Sequence, residues 1–290
     1  MFFNFIRDVV AASPDNEIDV VYYLDKAKPG HYSRPDTARS TQCIYWTCLQ
    51  FPQWFRSKRN GWIPFAYVPV ASQDNCELTD GMLVKFVVNT FDSSASDLAF
   101  SKGCAVQGPQ GDVVVIRAKR QLILADWGQH VKTYSLKGYN GIVPCGVCKN
   151  VIGRCQPFTD EYLVHIHSCE YHKFDRHTPE SFAELAQRLK RTAEHNPGEL
   201  QLEEKVSGLK WSADEIPWDD EMMGRLKPPL GAYPDWMHHF CASGGLAQYE
   251  VNGLLSKFVS KGIALADMDA WKNTVRLPSG YTSLSKSFFS

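Results

Sequence analysis

The sequence predicts an α/β domain: a mixed sheet flanked by helices and interrupted by a Cys/His insert that binds zinc. Three observations predict it. Strand-like runs fill the first seventy residues, and a helical period follows over 80–92. A short apolar run, Leu122-Ile123-Leu124-Ala125, then delivers an acid, Asp126, to its end. Shortly after, Pro144-Cys145-Gly146-Val147-Cys148 supplies two thiols at metal-ligand spacing.

Taken in order, residues 18–25 (IDVVYYLD) are β-branched and aromatic and end in Asp25, a strand signal. Pro29-Gly30 marks the corner that follows. A second strand is expected over 40–51, stopped by Pro52, and a third over 61–70, where Pro64 and Pro69 demand a sheet edge. Residues 80–92 carry Met82, Leu83, Phe86, Val87 and Val88 at helical spacing, with Asp80 near the N-cap. Residues 111–126 read as a hairpin or two short strands after a Ser/Gly-rich connection.

Three strands, a helix, then a strand carrying an acid is the order of the ribonuclease-H-like fold. In that fold the first and fourth strands are neighbours, so Asp25 and Asp126 converge. Paired carboxylates suit Mg²⁺ or Mn²⁺, hard cations that prefer oxygen ligands, and such a pair supports in-line attack at a phosphodiester. The plain alternative is that acids at strand ends merely cap turns. The third acid of such a fold lies on a late helix; Glu250, in the helical pattern from Leu246 to Phe258, is one candidate and Asp235 the other.

Residues 165–177 hold His165, His167, Cys169, His172 and His177. A tetrahedral zinc site takes two pairs of N/S ligands joined through a loop. Cys145 and Cys148 make one pair; Cys169 with His177 or His172 makes the other, and Cys155 is a spare thiol. Residues 178–195 are the clearest helix, with Thr178 as N-cap and Pro179 in the first turn. Residues 196–233, proline-rich and acidic, read as an irregular linker, and 278–290 as a frayed tail. The expected organisation is 1–133 for the first part of the core, 134–233 for insert, helix and linker, and 234–290 for the closing helix and tail.

Composition narrows the function. There are 31 Lys and Arg against 32 Asp and Glu, a net charge of −1, so any nucleic-acid contact must come from local patches rather than a global basic excess. No apolar run approaches the ~20 residues that span a bilayer, and the opening MFFNFIRDVVAAS lacks a basic region ahead of a long apolar one, reading as a structural lead-in rather than a signal peptide. Nine cysteines, an odd number and mostly scattered, fit a reducing, intracellular compartment.

The run from Asp126 through Lys137-Gly138 to Cys145-x-x-Cys148 resembles the core of the large transposase of CACTA (En/Spm) elements, a DDE-type enzyme. Cys169 to His177 is similar to the second half of that family's zinc insert, and Pro234-Asp235-Trp236-Met237-His238 to its Asp-x-Met-His segment. The resemblance implies Asp25 and Asp126 as the first two metal-binding acids and Glu250 or Asp235 as the third. It also implies structural Zn²⁺ on Cys145, Cys148, Cys169 and His177 or His172, catalytic Mg²⁺ or Mn²⁺, transposon-end DNA as partner, a nuclear location and a homo-oligomeric assembly. The expected activity is DNA strand cleavage and transfer, with the chain short enough to be a fragment or decayed copy. The alternative is a catalytically inactive, transposase-derived, zinc-containing domain that binds DNA or protein.

Overall fold

Strand β1 (Glu17–Ala27) alternates its side chains between two faces, as a strand must. Val20, Tyr22 and Leu24 enter the core, while Tyr23 and Asp25 lie half-buried on the opposite side. In the computed structural model, which describes residues 16–28, 30–31, 34–35, 39–92, 102–107, 111–138, 141, 143, 145–149, 175–235, 246–272 and 274, β1 is the middle of a six-stranded mixed sheet flanked by helices. The other strands are β2 (Thr41–Cys48), β3 (Ile63–Pro69), β4 (Cys104–Gln107), β5 (Val113–Ala125) and β6 (Ala232–Pro234).

The order across the sheet is β3-β2-β1-β5-β4, with β6 also on β5. β2 runs antiparallel to β1 and to β3; β5 runs parallel to β1, and β6 parallel to β5. β3 is at an edge, where its prolines withhold no needed ladder donor. Residues 113–125 form one strand rather than two. Its first residues pair with β4, inside the stretch expected to be a plain connection, and its last three pair with β6.

Helix α1 (Asp80–Asp92) lays Leu83, Val84, Val87 and Val88 on the core face of the sheet, while Phe86 faces solvent. The cap is one residue earlier than expected: Thr79 Oγ1 accepts from the amide of Met82, and the buried Asp80 instead accepts from Gln73 Nε2 at 2.7 Å. The short α2 (Trp127–Thr133) follows β5 directly. Helix α3 (Pro179–His195) begins as expected, with Thr178 and Ser181 forming a reciprocal capping box.

Residues 196–233 are not an irregular linker. They contain α4 (Leu200–Ser207), a 3₁₀ turn Ile216–Trp218, α5 (Asp220–Leu226) and β6. The prolines and acids that suggest a loop are helix-start residues here. Pro217 opens the 3₁₀ turn, and the Asp219 side chain caps α5 through the amide of Met222. Ile216, Met222 and Leu226 complete the main core with Tyr22 and Val87. Trp218 joins a second cluster with Phe182, Ala186, Leu189 and Leu209, its indole N–H donating to the carbonyl of Ala186 at 3.0 Å.

By contact the chain divides into two compact units, 1–235 and 236–290. The second contains α6 (Leu246–Ser260) and α7 (Leu265–Lys272). Among the described residues no helix is long and apolar enough to cross a membrane.

Candidate active site

Three acids stand at the ends of three neighbouring parallel strands. Leu24 of β1 pairs with Ala125 of β5, and Ala125 with Pro234 of β6. One residue past each of these positions are Asp25, Asp126 and Asp235. The Asp235 amide donates to the carbonyl of Ala125 at 2.7 Å, which holds the third acid against the strand that carries the second.

Tyr23 reports their convergence. It shares a face of β1 with Asp25, and its hydroxyl donates to Asp235 Oδ2 at 3.3 Å. Burial pushes its phenol well above the usual tyrosine range, and the charges of Asp25, Asp235 and Asp126 all add to that rise. Asp235 bonds this hydroxyl, and Asp25 and Asp126 act on it through their charge. Asp235 is itself buried. Asp25 Oδ1 accepts from the following amide of Lys26 at 2.7 Å, and Asp126 Oδ1 accepts from the amide of Gln129, capping α2. The capping role and the strand-end placement coexist at Asp126.

Two residues that the sequence did not single out hold this end of the sheet. Tyr23 is one. His130, buried on α2, is the other: its Nε2 lies 2.8 Å from the carbonyl of Tyr233, two residues before Asp235. A carbonyl only accepts, so this ring nitrogen carries the proton. The available signal was periodicity: Tyr23 is two residues before Asp25 on a strand, and His130 one helical turn after Asp126.

Gly231 sets where β6 begins. Its carbonyl accepts from the amide of Ile123 at 2.7 Å, and a Cβ there would sit 1.8 Å from the carbonyl oxygen of Leu226. Gly231→Ala is expected to destabilise the fold by about 3 kcal/mol through that backbone overlap, and to displace Asp235. Thermal denaturation checks the first effect and activity the second.

The other sequence-predicted acid, Glu250, is exposed on α6 of the second unit. Among the described residues no three His, Cys, Asp or Glu side chains are already drawn together closely enough to hold a metal. The donor chemistry of Asp25, Asp126 and Asp235 nevertheless fits a hard divalent cation, since all three offer only carboxylate oxygen.

The Cys/His insert is described in part. Cys169 and His172, with the spare Cys155, lie outside the described residues. Cys145 and Cys148 are both reduced and half-buried; burial, then the neighbouring Cys145 thiol, pushes Cys148 up to about 11. Cys148 bridges to Arg176 in antiparallel fashion, and the amide of His177 donates to the carbonyl of Val147 at 2.8 Å. His177 thus lies directly across from the Cys-x-x-Cys turn. Burial, and then Lys149, lower its pKa and favour the neutral imidazole that a metal requires. Its Nδ1 lies 3.2 Å from Ser181 Oγ.

This knuckle packs onto the site. Gly146 and Val147 close a small cavity with Trp127 and His130 of α2, Phe182 of α3 and Ala232 of β6. A Cβ on Gly146 would meet Leu136 Cδ1 at 2.6 Å, so a larger residue here would require the Leu136 side chain to shift. No family model matches the chain, and no curated protein matches it.

Proposed function

We propose that the chain is a divalent-metal-dependent enzyme acting on DNA phosphodiesters, with a ribonuclease-H-like catalytic core of the DDE-transposase kind. The observation that carries this reading is the placement of Asp25, Asp126 and Asp235 one residue past paired positions on adjacent parallel strands, with Tyr23 bonded to Asp235. Support also comes from the strand order, in which three antiparallel strands precede a helix and a strand parallel to the first.

In this reading Asp25 and Asp126 hold Mg²⁺ or Mn²⁺, and Asp235, rather than Glu250, is the third acid. Such ions would supply Lewis acidity and activate a water or 3′-hydroxyl as nucleophile at neutral pH. The protein's own residues keep the acids in place. Tyr23 donates to Asp235, His130 ties the strand that leads to it, and the Asp126 cap fixes the start of α2. Zn²⁺ would be held by Cys145, Cys148, Cys169 and His177 or His172, and its role would be structural. DNA is the partner, transposon ends being the expected substrate, which implies work in the nucleus, and self-association is compatible with such a role.

The test is nicking of supercoiled plasmid by the full chain with Mg²⁺ or Mn²⁺, wild type beside Asp25→Asn and Asp126→Asn. Metal-dependent nicking reduced about 1000-fold in each variant is the expected outcome. DNA binding without metal-dependent nicking would replace this reading with the binding-only, transposase-derived one.

A further inference from the structure

The acids share a wall with a second feature, a pocket of about 780 Å³ lined by Tyr23, Tyr45, Phe55, Trp62 and Tyr67, together with Arg59 and Asn60. Its floor is a cross-sheet row. Leu124, Tyr23, Tyr45 and Pro64 stand in register on β5, β1, β2 and β3. The next row toward the strand ends, on the same face, is Asp25, Cys43 and Tyr67. The pocket therefore lies flush with the acids, and Tyr23 belongs to both: its ring lies tilted against Trp62, with centroids 5.6 Å apart, and its hydroxyl bonds Asp235.

Two properties of the lining select an occupant. Aromatic faces are left uncovered, Tyr67 being 56% exposed, and the Trp62 indole is held in place by donation to the Arg56 carbonyl at 2.9 Å. Arg59, an exposed guanidinium, lines the pocket beside these rings, in a chain whose overall charge is −1. Flat aromatic faces beside a guanidinium match an unpaired base on a phosphodiester backbone, the combination by which single strands are bound without regard to sequence. The volume falls within the range of small-molecule and cofactor sites and exceeds what one side chain fills.

We propose that this pocket holds one or two unpaired bases of the DNA strand whose phosphodiester lies at Asp25, Asp126 and Asp235, stacked against Trp62 and Tyr67 with Arg59 on the backbone. The inference rests on the phosphodiester reading of the acids, which gives the strand its place.

The test measures binding with metal removed by EDTA, so that cutting plays no part. Full-length protein is titrated with a short single-stranded oligodeoxynucleotide carrying 2-aminopurine, and with one of the same length made of abasic sites. Wild type is expected to quench the 2-aminopurine and to bind the base-bearing strand about 5- to 100-fold more tightly than the abasic one. Tyr67→Ala, a change at an exposed side chain, is expected to erase most of that difference, and Trp62→Ala likewise; unchanged melting curves show that the variants fold. Equal affinity for the two strands overturns the proposal, as does undiminished base preference in a folded Tyr67→Ala. Absence of any binding by wild type overturns it too, as it would if the chain's own residues filled the pocket. A strand that is bound through its bases but never cut would sink the catalytic reading alone; a strand cut without base preference would sink the pocket alone.

Discussion

Asp235→Asn is expected to reduce metal-dependent nicking about 1000-fold, equivalent to about 4 kcal/mol of transition-state stabilisation, while Glu250→Gln stays within about twofold of wild type. The physical argument is the backbone. The amide of Asp235 is bonded to Ala125, the residue before Asp126, so the third acid is located by a sheet hydrogen bond and not by a flexible side chain. Tyr23 then orients its carboxylate through Oδ2. Asparagine keeps the size and accepts the same tyrosine hydrogen bond, so the loss reads the missing charge and not a collapsed strand. Quantified plasmid nicking at saturating Mn²⁺ checks both variants. A silent Asp235→Asn beside an inactive Glu250→Gln would move the third acid to the second unit.

Removal of zinc is expected to lower the melting temperature by about 10 °C, from a loss of about 3–5 kcal/mol in a unit of this size. The knuckle is not a free appendage. Gly146 and Val147 line one small cavity with Trp127, His130 and Ala232, and the knuckle is tied to the entry of α3 through the bond from the His177 amide to the Val147 carbonyl. Unfolding it would loosen His130, and with it the strand that delivers Asp235, so activity should fall along with stability. The checks are zinc content by elemental analysis and thermal melts with and without chelator, wild type beside Cys148→Ser. Zinc uptake should weaken as pH falls, because the thiols bind as thiolates and burial already raises the Cys148 pKa. A chain that purifies without zinc and melts unchanged in chelator would remove the metal from the knuckle.

Elements with strong local signals are legible in the sequence. Alternating β-branched and aromatic residues define β1 and place Asp25 at its end; Thr178, Pro179 and Ser181 define the start of α3; Cys145-x-x-Cys148 defines the knuckle. Each is a property of a few neighbouring residues, set by side-chain period, by cap chemistry or by ligand spacing. Only the tertiary structure decided the rest. β6 is three residues long, Ala232–Pro234, too short to carry a period, and exists because Ile123, Leu124 and Ala125 offer it a ladder. The helices of 196–233 are stabilised by burial of Ile216, Trp218, Met222 and Leu226 against elements more than a hundred residues away in part, which local propensity does not register. Asp235 joins Asp25 and Asp126 for the same reason: strand pairing is a non-local choice, made by which hydrophobic face and which backbone edge remain to be covered once the other strands are in place.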